Sequence, residues 1–248
     1  LQIGRSEAAF AATGAKGTFN QTGGSATISD LRMGGTDAST NANQIAALNL
    51  SGGTFAVTNF TTLSGGNSSA STINLSGTAD VTLPAFPTAR GTSATATINF
   101  DGGTLRSTGP SVNYFGGAAT TALIKAGGAS FNIGTGNDIT IATALQPDGV
   151  SLGGGLTKSG NGTLTLSEAN TYTGATTVKA GTLTLDYATQ NNSKLSDTSA
   201  LVLGGGTLNL SGGTHTEVVA STTLTANTIS NVTSTTPGSV LQMGRPMV

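Results

Sequence analysis

The sequence predicts an all-β chain folded as a right-handed parallel β-helix, and two observations carry the prediction. A Gly-rich turn returns about every 25 residues, at Ser51-Gly52-Gly53-Thr54, Ser76-Gly77-Thr78, Asp101-Gly102-Gly103-Thr104 and Ala126-Gly127-Gly128. A fixed period of this size is the signature of one supersecondary unit stacked on itself. Just before the first three turns the chain alternates apolar and polar residues, as Leu48-Asn49-Leu50, Ile73-Asn74-Leu75 and Ile98-Asn99-Phe100, which is the period of a half-buried strand. The reading is one continuous solenoid over 1–248, with about nine to ten coils of roughly 25–30 residues and three short strands in each. Parallel crossovers are right-handed in nearly all proteins, which sets the expected hand.

Composition agrees with a stack rather than a globule. Charged residues make up 8% and aromatics 4% of the 248 residues, and Thr outnumbers even the 37 glycines. Too few large apolar groups are present for an ordinary globular core, whereas a coil buries only a few small aliphatics against its neighbours. A net charge of −1 and a mean hydropathy of +0.06, with aliphatics placed periodically, separate the chain from a Gly/Ser-rich disordered linker. The same balance, without any run of like charge, argues against nucleic acid and anionic membranes as partners. There is no cysteine, hence no disulfide framework or thiolate metal site. No stretch approaches the length of apolar residues that spans a membrane as a helix. The chain begins at Leu1 rather than Met and reads as a processed or partial polypeptide.

Taken in order, the chain falls into three zones. In 1–39, Leu1-Gln2-Ile3-Gly4 recurs as Leu31-Arg32-Met33-Gly34, around a Gly17-Thr18-Phe19-Asn20-Gln21-Thr22-Gly23-Gly24 segment. The zone 40–150 carries the regular coils, with Leu48 and Leu50 expected to point inward and stack on Ile73, Leu75, Ile98 and Phe100. Ser76-Gly77-Thr78-Ala79-Asp80-Val81 holds one residue more than its counterpart Ser51-Gly52-Gly53-Thr54-Phe55, which predicts a bulge. Pro84-Ala85-Phe86-Pro87 leaves the strand pattern and predicts a loop. In 151–248, Gly181-Thr182-Leu183 and Gly206-Thr207-Leu208 continue the interval, and only Gln190–Leu195 tolerates helix.

Two residue sets stand out. Gly52, Gly77, Gly102, Gly127, Gly181 and Gly206 are expected at corners, where glycine permits positive φ and close backbone approach. Asn49, Asn74 and Asn99 share one register and predict a structural ladder of stacked amides, a polar binding strip being the alternative; alternation turns them away from the Leu face.

The segment Gly155-Leu156-Thr157-Lys158-Ser159-Gly160-Asn161-Gly162-Thr163-Leu164-Thr165-Leu166, continuing to Asn170-Thr171-Tyr172-Thr173-Gly174-Ala175-Thr176-Thr177-Val178 and Ala180-Gly181-Thr182-Leu183, resembles the autotransporter-associated β-strand repeat. The Gly17–Gly24 and Leu203–Leu208 segments resemble companion repeats more loosely. The resemblance implies a β-helical passenger exported to the bacterial outer surface or the medium, with no catalytic residues.

Candidate chemistry is sparse. His215 is the only histidine, so neither a metal site nor a Ser-His-Asp triad is supported, and a solvated or turn histidine is expected. Gly134-Thr135-Gly136-Asn137-Asp138 is half of a calcium nonapeptide without a tandem copy and reads as a turn. Carboxylates are scattered without a column at coil spacing, which opposes a polysaccharide-active enzyme. Thr-x-Thr pairs occur at irregular spacing, which opposes ice binding. No cofactor is expected. Val240-Leu241-Gln242-Met243-Gly244-Arg245 nearly repeats Leu1-Gln2-Ile3-Gly4-Arg5, which predicts tandem cassettes or end-to-end stacking through Leu1, Gln2, Ile3, Leu241, Gln242 and Met243. The functional expectation is a structural extracellular stalk, fibre or matrix subunit. An adhesin is the alternative, with Pro84–Thr92 and Gly109–Gly117, including Tyr114 and Phe115, as candidate ligand loops and a surface or glycan as partner.

Overall fold

The computed structural model describes residues 1–3, 14–34, 43–64, 66–85, 93–115 and 120–244. The described residues are all-β, without a helix; Gln190–Leu195 is irregular. Every strand pairing is parallel, and strands pair with the preceding or following coil. This is a β-solenoid with three faces.

The first face stacks Lys16–Gln21, Ile45–Leu50, the first part of Ala70–Leu83, the first part of Thr95–Ser107, Thr120–Ile124 and Leu145–Pro147. The second face is the longest path. Its ten strands run from Gln2–Ile3 through Ser25–Met33, Thr54–Leu63, the later parts of Ala70–Leu83 and Thr95–Ser107, Ala129–Asn132, Leu156–Ser159, Thr176–Val178 and Ala200–Leu203 to Ser221–Leu224. The third face carries Ile139–Ile141, Thr163–Leu166, Thr182–Asp186, Thr207–Ser211 and Asn231–Ser234.

Alternation decides which side chains enter the core. In Ile45–Leu50 the residues Ala46, Leu48 and Leu50 are buried while Ala47 and Asn49 lie on the outside. The same holds for Ile73 and Leu75 above them, and for Ile98 and Phe100 on the next rung. Each buried aliphatic contributes about 1.5–3 kcal/mol, but only when the adjacent rung covers it. Phe100, Phe115 and Phe131 cluster in the core, with Phe100 5.3 Å from Phe131 and 6.3 Å from Phe115 between ring centroids.

The extra residue at Gly77-Thr78-Ala79-Asp80 is a bulge, where the register against the next rung shifts between Gly77 and Asp80. Around it Ala70–Leu83 stays one unbroken strand of 14 residues that turns the corner between two faces, so these coils have fused strands where three short ones were expected. Coil length also varies more than the sequence reading. The second-face register steps 30 residues from Ile3 to Met33 but only 20 from Lys158 to Val178. The short coils save residues on the first face, where Ser167–Tyr172 crosses without forming a strand. Phe86 to Thr92, most of the expected Pro84 loop, lies outside the described residues.

Candidate functional site

Side-chain hydrogen bonds follow from the stacking. On the outside of the first face, Asn49 Nδ2 donates to Asn20 Oδ1 at 2.6 Å, Asn74 Nδ2 to Asn49 Oδ1 at 2.6 Å, and Asn99 Nδ2 to Asn74 Oδ1 at 2.7 Å. Parallel pairing sets Asn20 beside Asn49, Asn49 beside Asn74 and Asn74 beside Asn99, so every amide repeats the orientation of the one below. Asn20 was not legible as a member, because its coil is 29 residues long and its neighbours are Phe19 and Gln21. Leu123 takes the next position, leaving Asn99 Oδ1 buried without a partner. Asn49, Asn74 and Asn99 each spend one N–H of two on the ladder. Replacing Asn74 by alanine removes two ladder bonds and is expected to cost about 1–2 kcal/mol, read as a lowered urea midpoint with unchanged far-ultraviolet circular dichroism.

Two concavities open on this face. One, of about 370 Å³, is lined by Asn49, Asn74, Leu75, Ser76, Asn99, Asp101 and Lys125. The other, of about 390 Å³, is lined by Thr120, Thr121, Ala142, Thr143, Ala144, Gln146 and Glu168. They approach each other at the Thr120–Ile124 strand and its neighbour Lys125.

The corner glycines form two columns. Gly52, Gly77, Gly102 and Gly127 stack at the turn from first to second face: a Cβ on Gly52 would lie 2.5 Å from Thr22 O, and one on Gly77 2.6 Å from Ser51 O. Gly181 and Gly206 stack at the turn from second to third face, over Gly160 and Gly162. Strand-opening Gly-Thr pairs look alike in both places, which is why spacing did not separate them.

Buried polar groups carry the third zone, and sequence reasoning missed them. Lys158 sits in an inward position between Phe131 and Val178 and is fully buried. Its stem fills the core, and Nζ donates to Ser159 O at 2.8 Å, Gly160 O at 2.8 Å and Ala180 O at 3.2 Å, clipping two rungs together. Burial holds its pKa down at about 8 against an ordinary 10.5, with Asp138 opposing. Between those values the unfolded chain binds a proton that the folded chain does not, so stability rises with pH across that window. Above pH 10 the sign reverses, because burial raises the pKa values of Tyr114, Tyr172 and Tyr187 from an ordinary 10.0. The melting temperature is expected to climb from pH 8 to near 10 and then fall, with a weaker climb in Lys158→Met; a flat profile in the native chain would contradict this account.

Where the first face lacks strands, side chains take over its ladder. Leu145 N donates to Asn170 Oδ1 at 2.8 Å, and Asn170 Nδ2 donates to Lys194 O at 2.8 Å. Glu217 completes the run: it accepts from Leu195 N at 2.7 Å, Lys194 N at 3.0 Å and the Tyr187 hydroxyl at 2.7 Å, with its residue fully buried. Burial pushes the Glu217 pKa up, and those three bonds oppose it. Beyond Glu217, Thr216–Val219 pairs with Val240–Met243.

His215 is mostly covered rather than solvated. Its ring stacks on Tyr187 at 4.7 Å, and Nε2 lies 3.8 Å from Glu217 Oε2. Other carboxylates cap backbone: Asp101 accepts from Gly127 N at 2.8 Å and Asp138 from Thr163 N at 2.6 Å. Gly134 to Asp138 is a turn, closed by Asn137 N donating to Gly134 O at 3.1 Å. Tyr114 and Phe115 are not ligand-facing aromatics. Both are fully buried, with the Tyr114 hydroxyl donating to Leu83 O at 2.7 Å, because this segment re-enters the core to open the third face. Gln2 and Ile3 pair with Arg32 and Met33 on the second face, whereas Leu241, Gln242 and Met243 pair with Glu217, Val218 and Val219, in continuation of the first face. The two similar terminal motifs therefore occupy different faces.

The strand pairing defines a parallel β-solenoid of stacked coils. Residues 156–185 match the family model of the passenger-associated-transport-repeat. The chain is also 45% identical over 107 residues to an adhesin, the BmaC autotransporter of Brucella suis biovar 1 (strain 1330). That alignment covers 36% of this chain, and only 3% of the adhesin's length. No solved structure matches the chain.

Proposed function

We propose that the chain is a structural, non-enzymatic segment of a bacterial extracellular or outer-surface protein, serving as stalk, fibre or matrix. The observation that carries this reading is the second face, whose ten strands pair in parallel from Gln2 to Leu224. At about 4.8 Å per rung such a path spans roughly 40 Å. The Asn ladder, the Lys158 clip and the Glu217 bonds all tie rung to rung, which suits a rod. Stacking on further coils, of the same or a second chain, belongs to this reading. Leu224 is 70% and Met243 58% exposed, although their partners Leu203 and Val219 one rung below are buried.

Electron microscopy of the native surface material tests this. Thin rods or fibres of solenoid width are expected, and compact dispersed particles would count strongly against a stalk or fibre role. A second reading, an adhesive passenger that holds a surface or glycan ligand, is favoured by the identity to an adhesin.

A further inference from the structure

We propose that the outer surface of the first face binds a linear, uncharged polysaccharide laid along the solenoid axis, across the rungs from Asn49 to Glu168. The inference rests on the adhesive reading and names its ligand class. Three features of the face point to that chemistry. First, Asn49, Asn74 and Asn99 each keep a second amide N–H beyond the ladder bond on rungs about 4.8 Å apart, and past Leu123 the same register holds the Gln146 amide, so a chain molecule running axially meets an amide on four of five rungs.

Second, the two concavities of about 370 and 390 Å³ fall in the size range of ligand pockets, and they follow each other along the axis with a sideways step, one at the ends and one at the starts of the first-face strands. The Asn groups line one, and Thr121, Gln146 and Glu168 line the other. Third, the surface has little field to attract a polyion. The two linings carry two carboxylates, Asp101 and Glu168, against one ammonium, Lys125, so a polyanion meets no positive patch. Hydroxyl groups suit such a row of neutral donors and acceptors; phosphates and sulfates do not. Among the described residues neither lining includes an aromatic side chain, so each sugar gains hydrogen bonds without ring stacking. Contacts are then individually weak and accumulate with chain length.

The test uses the full chain with cellohexaose and its N-acetylated counterpart chitohexaose, by titration calorimetry. At least one hexamer is expected to bind saturably, at least tenfold more tightly than its dimer, and with affinity unchanged between low and high salt. The double variant Thr121→Ala/Gln146→Ala alters two exposed side chains outside the ladder, and is expected to weaken binding at least fivefold without shifting the melting temperature. No binding of either hexamer at millimolar concentration overturns the inference, as does binding indifferent to the double variant. Binding of heparin alone, lost at high salt, overturns it in favour of a polyanion. A parallel assay of the chain on intact cells separates the two readings: cell attachment without hexamer binding leaves the adhesive reading standing and removes this one, and absence of both removes both.

Discussion

Glu217→Ala is expected to lower stability by about 4 kcal/mol, the largest loss for any side-chain truncation in the third zone. The carboxylate takes three donors at once, two of them backbone N–H groups of a segment that has no strand partner of its own. Water cannot replace the lost acceptors, because Glu217, Tyr187, Lys194 and Leu195 are all buried. Each stranded donor costs about 1–3 kcal/mol. Glu217→Gln keeps the volume and one acceptor oxygen, but turns an amide N–H toward a donor, so about half the loss is expected. Urea unfolding followed by circular dichroism gives the total. Hydrogen exchange shows where it falls: the Lys194 and Leu195 amides are expected to lose protection first. A loss below about 1 kcal/mol for the alanine variant would mean that this segment is held by something other than Glu217.

Gly181→Ala is expected to cost about 4 kcal/mol or more, where Gly136→Ala costs about 1. Both glycines have positive φ, 63° for Gly181 and 79° for Gly136. A side chain at Gly136 meets nothing within 4 Å, so only the backbone conformation is penalised. At Gly181 the new Cβ would overlap the carbonyl oxygens of Gly160 and Gly162 in the rung below. Relief requires the two rungs to part, which breaks the pairing of Thr163–Leu166 with Thr182–Asp186. The same substitution at two sites thus isolates rung-to-rung contact from φ strain. Equal midpoints for the two variants would contradict the close approach.

Much of this was legible along the chain because a solenoid repeats its local rules. Leu48-Asn49-Leu50 announces a strand with one buried face, and the structure buries both leucines and turns Asn49 out. The extra residue near Gly77 announces a bulge, and the register shifts there. Legibility ended where a residue's partner lies on another rung at an uneven interval. Asn20 joins the amide column across 29 residues, Asn170 reaches Lys194 across 24, and Glu217 reaches Leu195 across 22. Lys158 holds an inward position because its ammonium finds carbonyls at a corner, a destination that residue type and spacing do not reveal. Tyr114 and Phe115 were misplaced for a related reason: their segment follows Gly-Pro and resembles a loop, yet it opens the third face.

By itself the sequence determined the period, the strand alternation and the small-residue corners, since each depends on the chemistry of residues within one coil. Only the tertiary structure decided which corner each glycine occupies, which face each terminal motif joins, and which polar groups are buried. Those depend on how many residues each coil spends on each face, from 30 down to 20 per turn, and that number is fixed by the rung beneath.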